Sequence, residues 1–281
     1  MIDLHTHSKV SDGTDSPSML INKAMAAGIT TLALTDHDTI SGWDEARTAL
    51  RPGMDLVLGA EISCQTEDGV SVHMLGLLFD PHFMPLIEVL DQTRDNRIGR
   101  MEKIIARMQG AGIEIEMADV LAQLSDGATL GRPHLADALI AKGVVKDREE
   151  AFSNLLHNNS AHYVSHFSPT PEAVIKLIKQ AGGVAVIAHP YATLRGKIVR
   201  PTSFQSFVQA GLDGIEVSHR DQSVEERELL MAIVNEYDLI FTGSSDYHGE
   251  GKLNQLAEFT TNPAQWKKLE ARADQRRVIR T

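Results

Sequence analysis

The chain has 281 residues, of which 42% are hydrophobic and 23% are charged, a composition typical of a globular protein with a sizeable core. Its 27 basic and 38 acidic residues give a net charge of −11, and only 5% of the residues are aromatic. Both features argue against broad binding of long DNA or RNA. The single cysteine, Cys64, excludes a disulfide framework and a thiolate-rich metal site. With no membrane-spanning run and no signal-peptide pattern, we expect a cytoplasmic protein without a membrane partner, and nothing implies a protein partner.

Short apolar runs alternate with helical stretches over residues 1–90. The sequence predicts helices at residues 16–27 and 41–50. Ser16 is a good cap for the first helix, Pro17 suits its first turn, and Gly28 ends it. The apolar runs predict strands at residues 1–4, 30–35, 55–63 and 70–79. This alternation is typical of a parallel sheet or barrel with helices outside.

The middle of the chain has a different character. Residues 85–158 read as helical with no convincing strand, as in RIGRMEKIIARMQGAGIEI. The alternation then resumes, with predicted helices at 170–181, 203–210 and 224–237 and predicted strands at 183–188, 213–218 and 239–244. We therefore expect an α/β barrel formed by residues 1–90 and 165–281, interrupted by a helical insertion or cap at residues 91–164.

Residues that commonly ligate metals follow most of the predicted strands. In an α/β barrel the carboxyl ends of the strands meet at one face, so residues far apart in sequence can share a site. A buried, hydrogen-bonded histidine is the usual explanation for one such residue, but here that explanation would have to apply at strand end after strand end. The residues are His5, His7, Asp36, His37, Glu61, His73, His189, His219, Asp246 and His248.

Histidine and carboxylate ligands without sulfur favour Mn²⁺, Zn²⁺ or Fe²⁺. The spacing of His5 and His7 on an extended chain places both imidazoles on one side. The candidate carboxylates are Asp12, Glu61 and Asp246. Two or three divalent ions would outweigh these three negative charges, so the pocket would attract a phosphate despite the acidic chain.

Six segments, taken in order, resemble the PHP family (polymerase and histidinol phosphatase). They are DLHTHSKVSDGTDSP, LTDHDTISG, GAEIS, VHMLG, AHP and SDYHG, within residues 1–80 and 170–250. The resemblance implies a distorted (β/α)7 barrel with a trinuclear metal site. It also implies two to three divalent ions, with Mn²⁺ favoured over Zn²⁺ or Fe²⁺.

Carried over motif by motif, the resemblance assigns three ligand sets, with Glu61 as a bridge between the first two. The first set is His5, His7, Glu61 and Asp246; the second is Glu61, His73 and His189; the third is Asp12, His37 and His248. Some family members have a histidine where this chain has Asp12.

The insertion that carries GRPHLA resembles the branch of the family that acts on 3′,5′-nucleoside bisphosphates, whose relatives also trim short RNA from its 5′ end. We therefore expect hydrolysis of the 3′-phosphate of a small nucleotide by a metal-bridging hydroxide. The alternative at the same site is a 5′–3′ exonuclease on short RNA.

Basic residues outside the metal set are candidates for substrate binding. Arg132 and His134 flank Pro133 at a predicted helix start, where free N–H groups and an arginine fork suit a phosphate. A basic loop after His189 is a candidate for a second phosphate, although such loops are also common on surfaces. Its basic residues are Arg195, Lys197 and Arg200.

Three further polar residues have predicted supporting or catalytic roles. His219 follows a predicted strand, and we expect it to contact the substrate or protonate the leaving group. Asp3 and Asp36 are predicted to orient ligand imidazoles rather than to bind metal.

Two other functions compete with the phosphoesterase. An amidohydrolase-type deaminase or lactonase also begins with His-x-His, but Asp12, His37 and the Asp246-x-His248 pair favour a phosphatase. A catalytically idle metal-binding module that docks on a polymerase would be expected to have degraded ligand positions, and no expected position here is degraded.

Overall fold

Seven strands pair in the order in which they occur along the chain. The computed structural model describes residues 1–124, 128–157, 160–164, 168–274 and 278–281. The strands are β1 (Ile2–Asp3), β2 (Thr31–Leu34), β3 (Asp55–Gln65), β4 (Ser71–Leu77), β5 (Val184–Ala188), β6 (Gly214–Ser218) and β7 (Ile240–Gly243). The side chains of β2 and β5 are buried throughout, as expected for strands covered on both faces.

Helices connect most of the strands and account for the middle of the chain. They are α1 (Pro17–Ala26), α2 (Trp43–Ala49), α3 (Met84–Gly110), α4 (Met117–Leu121), α5 (Arg132–Ala141), α6 (Arg148–Asn154), α7 (Pro171–Gln180), α8 (Ser203–Ala210), α9 (Val224–Tyr237) and α10 (Pro263–Ala271). The predicted elements outside the middle segment are all present, with bounds that differ by at most two residues. The cap on α1 is also confirmed, because the Ser16 hydroxyl accepts from the Met19 N–H at 3.2 Å.

The sheet closes into a nearly complete barrel beyond the ends of β1 and β7. A parallel bridge joins Thr6 to Tyr247, and the His7 N–H donates to the Tyr247 carbonyl at 2.8 Å. The predicted α/β barrel of seven strands is therefore confirmed.

One strand runs against the others, which the expected parallel arrangement did not include. β4 is antiparallel to both β3 and β5. The reason is the connection, because the chain reverses between Thr66 and Val70, far too short a distance for the crossover that parallel pairing needs. The start of β4, and not its end, therefore lies beside the carboxyl ends of the neighbouring strands.

Separate groups of apolar side chains pack inside the barrel and in the middle segment. Val57, Leu75 and Val186 belong to the group inside the barrel, which also includes Trp266 of α10, a helix that was not predicted. A different group, with Met101 and Leu139 among its members, joins α3 to α5.

The long helix α3 crosses the boundary predicted at residues 90/91. Its first half packs on the barrel helices through Leu86 and Leu90, and its second half packs in the middle segment. The other predicted boundary, at 164/165, borders residues 165–167, which lie outside the described residues. The division into barrel and insertion remains a prediction.

Among the described residues, no helix has the length and apolar character needed to cross a membrane.

The β3–β4 pairing predicts a large penalty for one added methyl group. A Cβ at Gly59 would lie 2.7 Å from the Gly76 carbonyl oxygen and 2.7 Å from a Leu77 methyl. We expect Gly59→Ala to lower the free energy of unfolding by about 1–3 kcal/mol in urea denaturation. The control is Gly99→Ala, in the helix α3, where the added Cβ has no atom within 4 Å. Because alanine favours a helix more than glycine does, we expect this change to raise the free energy of unfolding by about 1 kcal/mol. Equal stability of the wild type and Gly59→Ala would contradict the tight pairing.

Candidate metal centre

The predicted ligands lie together at one end of the barrel. His5 and His7 follow β1, His37 follows β2, and His189 directly follows β5. Asp246 and His248 follow β7 in the same way. His73 reaches this end from the start of the antiparallel β4, where it pairs with Ala188 at the end of β5.

The carboxylate of Glu61, in β3, lies at the centre of the group. Its Oε1 is 2.7 Å from His73 Nδ1 and 3.2 Å from His189 Nε2. Its Oε2 is 3.0 Å from His37 Nδ1, 3.1 Å from His7 Nε2 and 3.3 Å from His5 Nε2. Each carboxylate oxygen therefore faces a different subset of imidazoles, which is the geometry that a bridging ligand needs.

Four overlapping groups of ligand atoms have all their atoms within 4.8 Å of one another. They are His5 with His7, Glu61 and Asp246; His7 with Asp12, His37 and His248; His37 with Glu61 and His73; and His5 with His189 and Glu216. The first group is the first predicted ligand set. The group of His7, Asp12, His37 and His248 contains every residue of the third predicted ligand set. In the second predicted ligand set, Glu61 contacts both His73 and His189.

Two close approaches in this centre are not hydrogen bonds. His37 Nδ1 lies 3.0 Å from Glu61 Oε2, and Asp12 Oδ1 lies 3.2 Å from His248 Nε2. His37 Nδ1 and Asp12 Oδ1 are therefore buried atoms that have no hydrogen-bond partner. Buried polar atoms normally have partners, so lone pairs that converge in this way fit a shared divalent ion. The nitrogen and oxygen donor set fits such ions as well.

The histidines keep the central carboxylates ionised. Burial alone would raise the pKa of Glu61, but His37, His73 and His5 lower it well below its usual value. The pKa of Asp12 is lowered in the same way, chiefly by His248 and His37, against the opposing effect of burial. Metal ligation requires these carboxylates to be deprotonated, and both of them already are.

The histidines themselves divide into two classes. Burial lowers the pKa of His7, but hydrogen bonds with Asp246 and Glu61 more than offset it and raise the pKa to about 9. The pKa of His5 is also raised, by Glu61, Glu216 and Asp246, despite its burial. For His248, burial and the nearby Lys252 lower the pKa to about 4.

Residues with positive φ angles lie at the ends of several barrel strands. Asp38 has φ 52°, His189 has φ 30° and Asp246 has φ 52°. A left-handed backbone is costly for residues other than glycine and is often found at functional sites. Here it turns the chain sharply where ligand side chains must point across the barrel mouth.

Glu216, in β6, is a site residue that was not predicted. Its Oε1 lies 3.1 Å from His5 Nδ1, and its Oε2 accepts the His189 N–H at 3.0 Å. With both oxygens engaged, this carboxylate holds two predicted ligands in place. The available signal was a lone glutamate inside the otherwise apolar strand GIEVS.

The roles of Asp3 and Asp36 as residues that orient ligand imidazoles remain a prediction, and both carboxylates hold backbone and hydroxyl groups of the surrounding loops. Asp3 accepts the N–H groups of Ser245 at 3.0 Å and Ala257 at 3.2 Å. Asp36 accepts the Ser8 N–H at 2.8 Å and the Ser11 hydroxyl at 2.6 Å. These bonds fix the loops that carry the ligands, and only Ser11, 3.3 Å from His7 Nδ1, links Asp36 to an imidazole.

Of the predicted basic loop, only Arg195 contacts the centre. Arg195 Nη2 donates to Asp246 Oδ2 at 2.7 Å, and its Nη1 lies 3.1 Å from His189 Nε2. Arg200 instead pairs with Asp68 at 3.0 Å, with its side chain 71% exposed. Lys197 is exposed, and its charge acts on the same Asp68.

A second cation at the centre, Lys252, was not predicted. Its Nζ lies 2.9 Å from His248 Nε2 and 3.4 Å from Asp246 Oδ2. Its sequence position, four residues after His248 in a loop, offered little signal.

The middle segment reaches the centre through its residues 129–134. The Thr129 N–H donates to the Val10 carbonyl at 2.9 Å, which ties this segment to the loop that carries Asp12. As predicted, Arg132 begins a helix, α5, with Pro133 in its first turn. His134 Nδ1 accepts the Gly131 N–H at 3.1 Å, so the neutral ring carries its proton on Nε2.

The predicted catalytic residue, His219, is fully buried behind Asp246. Its Nδ1 accepts the Asp221 N–H at 3.0 Å, and its Nε2 lies 3.4 Å from Asp246 Oδ2. Its ring centroid is 5.1 Å from that of His189.

Comparisons with known proteins agree with this geometry. The model of the PHP domain family matches residues 3–181. A 5′-3′ exoribonuclease from Haemophilus influenzae is 36% identical over 249 residues, which cover 88% of this chain and 89% of that protein. A 3′,5′-nucleoside bisphosphate phosphatase from Chromobacterium violaceum is 32% identical over 277 residues, which cover 96% of this chain and 97% of that protein. A solved structure from Bifidobacterium adolescentis, named as a metal-dependent phosphoesterase, superposes with a TM-score of 0.92 at 39% identity and covers 96% of both chains.

The fold, the cluster of ligand atoms and these relatives define a metal-dependent hydrolase of phosphoester bonds. The chain belongs to the PHP family.

The raised pKa values predict that metal binding releases protons. His7, with its pKa near 9, and His5 hold protons at neutral pH before metal binds, and each must lose its proton to become a ligand. We expect calorimetric titration with Mn²⁺ near neutral pH, repeated in buffers of different ionisation enthalpy, to show net proton release. The affinity should rise with pH up to about pH 9. Binding without proton release would show that these imidazoles are not ligands.

The contacts of Glu216 predict a loss of metal affinity when its charge is removed. In Glu216→Gln the amide can accept from only one of the two donors that the carboxylate now serves. We expect the affinity for Mn²⁺ to fall by roughly 10- to 100-fold while the fold is retained, as for other residues that orient metal ligands. The matched control is Glu228→Gln, on the outer helix α9, which should bind Mn²⁺ like the wild type. Wild-type affinity in Glu216→Gln would remove Glu216 from the site.

Proposed function

We propose that this chain hydrolyses the 3′-phosphate of a 3′,5′-nucleoside bisphosphate and releases the 5′-monophosphate. The observation that carries the proposal is the position of Glu61, whose two oxygens contact five imidazoles from separate parts of the barrel. The residues that would hold divalent ions are His5, His7, Asp12, His37, Glu61, His73, His189, Asp246 and His248. Ions held there would supply Lewis acidity to the phosphoryl oxygens and neutralise charge on the attacking and leaving oxygens.

The side chains around the centre have separate tasks in this proposal. Arg195 and Lys252 bring positive charge to the Asp246 side, where they would help to position the phosphoryl group that is hydrolysed. Burial lowers the pKa of His134, and the neutral ring carries its proton on Nε2. Its proposed role is therefore to donate a hydrogen bond to the leaving oxygen, whose charge ions held at the centre would neutralise.

For His219 we propose a positioning role instead of the predicted proton donation. The ring has no exposed surface and sits between Asp221 and Asp246. It would therefore act through Asp246, by fixing the orientation of that carboxylate.

The small size of the proposed substrate is supported by the contact between the middle segment and the barrel. Residues 128–134 lie over the loop that carries Asp12, through the bond from Thr129 to Val10. The relative that matches this chain over almost its full length carries the name of a bisphosphate phosphatase.

A second candidate is a 5′–3′ exonuclease that acts on short RNA with the same residues. It is supported by the 36% identical relative with that name. The substrates of the two candidate functions differ at the phosphate on the 3′ oxygen of the first nucleotide. In the bisphosphate this phosphate is terminal, whereas in RNA it is esterified to the next nucleotide.

The direct test compares phosphate and nucleotide release by the Mn²⁺-loaded protein from four substrates. They are adenosine 3′,5′-bisphosphate, AMP, a short 5′-phosphorylated RNA and histidinol phosphate. We expect the fastest turnover with the bisphosphate, which leaves AMP. Comparable release of mononucleotides from the RNA would favour the exonuclease, and inactivity on all four would refute both.

Removing a predicted ligand should abolish this turnover. His189→Ala deletes an imidazole that contacts Glu61, and we expect activity to fall by more than the roughly 100-fold typical of a supporting residue. The control is His82→Ala, at a histidine outside the centre, which should retain wild-type activity. Full activity in metal-loaded His189→Ala would contradict the proposed site.

A further inference from the structure

Two loops that are far apart in sequence meet beside the metal centre. One follows β1 and carries Asp12, and the other follows β7 and carries His248. Both side chains are buried, and Asp12 Oδ1 lies 3.2 Å from His248 Nε2. Both residues lie several positions beyond their strands, so contacts between the two loops must set this distance.

Backbone contacts join the two loops directly. The Thr14 N–H donates to the His248 carbonyl at 2.9 Å, and the Thr14 hydroxyl accepts the Glu250 N–H at 2.9 Å. The approach is so close that a Cβ at Gly249, whose φ is 73°, would overlap the Thr14 hydroxyl. The loop that carries Asp12 is therefore packed against the loop that carries His248.

A side-chain network of Asp15, Tyr247 and Lys23 spans the same contact. The Tyr247 hydroxyl donates to Asp15 Oδ2 at 2.8 Å. Lys23, on α1, donates to both oxygens of Asp15, at 2.6 Å and 2.8 Å. Asp15 and Tyr247 are buried, whereas the Lys23 side chain reaches the surface. Since a buried carboxylate is costly without partners, Asp15 favours the arrangement in which both donors reach it.

Tyr247 connects the two loops because it lies between two predicted ligands in sequence. Its carbonyl accepts the His7 N–H, which is the bond that closes the barrel. Its hydroxyl holds Asp15, which belongs to the loop that carries Asp12. One residue therefore links the ligand segment after β7 to the ligand loop after β1.

We propose that Asp15, Tyr247 and Lys23 position Asp12 and His248 and so set the affinity of the ion that the third predicted ligand set would hold. This inference rests on the proposed function, which requires ions at the centre. The three residues are positioning residues, because they act through Asp12 and His248.

Ions elsewhere in the centre should not depend on this network. The residues of the second predicted ligand set, Glu61, His73 and His189, come from β3, from β4 and from the end of β5. Neither loop of the network supplies any of them. We therefore expect an effect on one ion and not on the whole centre, which separates positioning from a general loosening of the fold.

The first test removes contacts of the network and counts the bound ions. Tyr247→Phe deletes the hydroxyl but keeps the ring and the backbone bond to His7, and Asp15→Asn removes the charge that holds Lys23. Mn²⁺ bound per chain is measured by equilibrium dialysis over a range of free Mn²⁺, with Asp12→Ala as the reference for the ion that Asp12 holds. We expect the affinity for that ion to fall roughly 10-fold in Tyr247→Phe and roughly 10- to 100-fold in Asp15→Asn, with the other ions bound as in the wild type.

The matched controls are Tyr237→Phe, on α9, and Asp44→Asn, on α2, which should bind Mn²⁺ like the wild type. Unchanged affinity for every ion in Asp15→Asn would overturn the proposal. An equal loss for all ions would overturn it as well, because a loosened fold acts on the whole centre. If Asp12→Ala loses no ion, the third predicted ligand set is wrong and the proposal fails with it.

The second test follows activity as the Mn²⁺ concentration is varied. We expect Tyr247→Phe to need roughly 10-fold more Mn²⁺ for half-maximal hydrolysis of adenosine 3′,5′-bisphosphate, and excess Mn²⁺ to recover most of the wild-type kcat. A kcat that stays low in excess Mn²⁺ would contradict a role through metal affinity. If the wild type hydrolyses none of the nucleotides, the proposed function fails, and the dialysis comparison still decides the role of the network.

Discussion

The arrangement of this molecule depends on one buried carboxylate that faces five imidazoles. Glu61 is 1% exposed, and its ionised form is stable there because His5, His7, His37, His73 and His189 surround it. An isolated carboxylate at that depth would cost several kcal/mol. The five imidazoles come from four parts of the chain, and the nearly closed sheet brings them to the same point. The metal centre therefore depends on the barrel. The apolar side chains inside the barrel supply the stability that offsets the backbone strain at the strand ends.

The antiparallel strand β4 shows how this constraint acts on the fold. If β4 were parallel to its neighbours, its start would lie at the opposite end of the barrel, away from Glu61. Because β4 forms a hairpin with β3, His73 lies at the correct end, opposite Ser63. The positive φ angle of His189, directly after β5, places backbone strain beside His73, where ligand side chains must converge.

Much of the fold and the position of the centre could be predicted, because strand-end residues of a barrel converge whatever their distance in sequence. The direction of β4 was missed since an apolar run has the same pattern in either direction, although the short reversal after Thr66 was a usable signal. Glu216 was missed because it lies within a strand and acts through two other ligands. The contacts of Asp3 and Asp36 with loop N–H groups could not be predicted, because a carboxylate near imidazoles can equally hold a backbone N–H group.

The central claim is that the atoms around Glu61 hold divalent ions that bind a phosphate. Its most direct test is a crystal structure of the protein with Mn²⁺ and inorganic phosphate, with anomalous scattering recorded at the manganese edge. We expect two or three manganese peaks, with Glu61 bridging two of them and the phosphate between the ions and Arg195. Manganese peaks elsewhere on the surface, with none within coordination distance of Glu61, would contradict the claim.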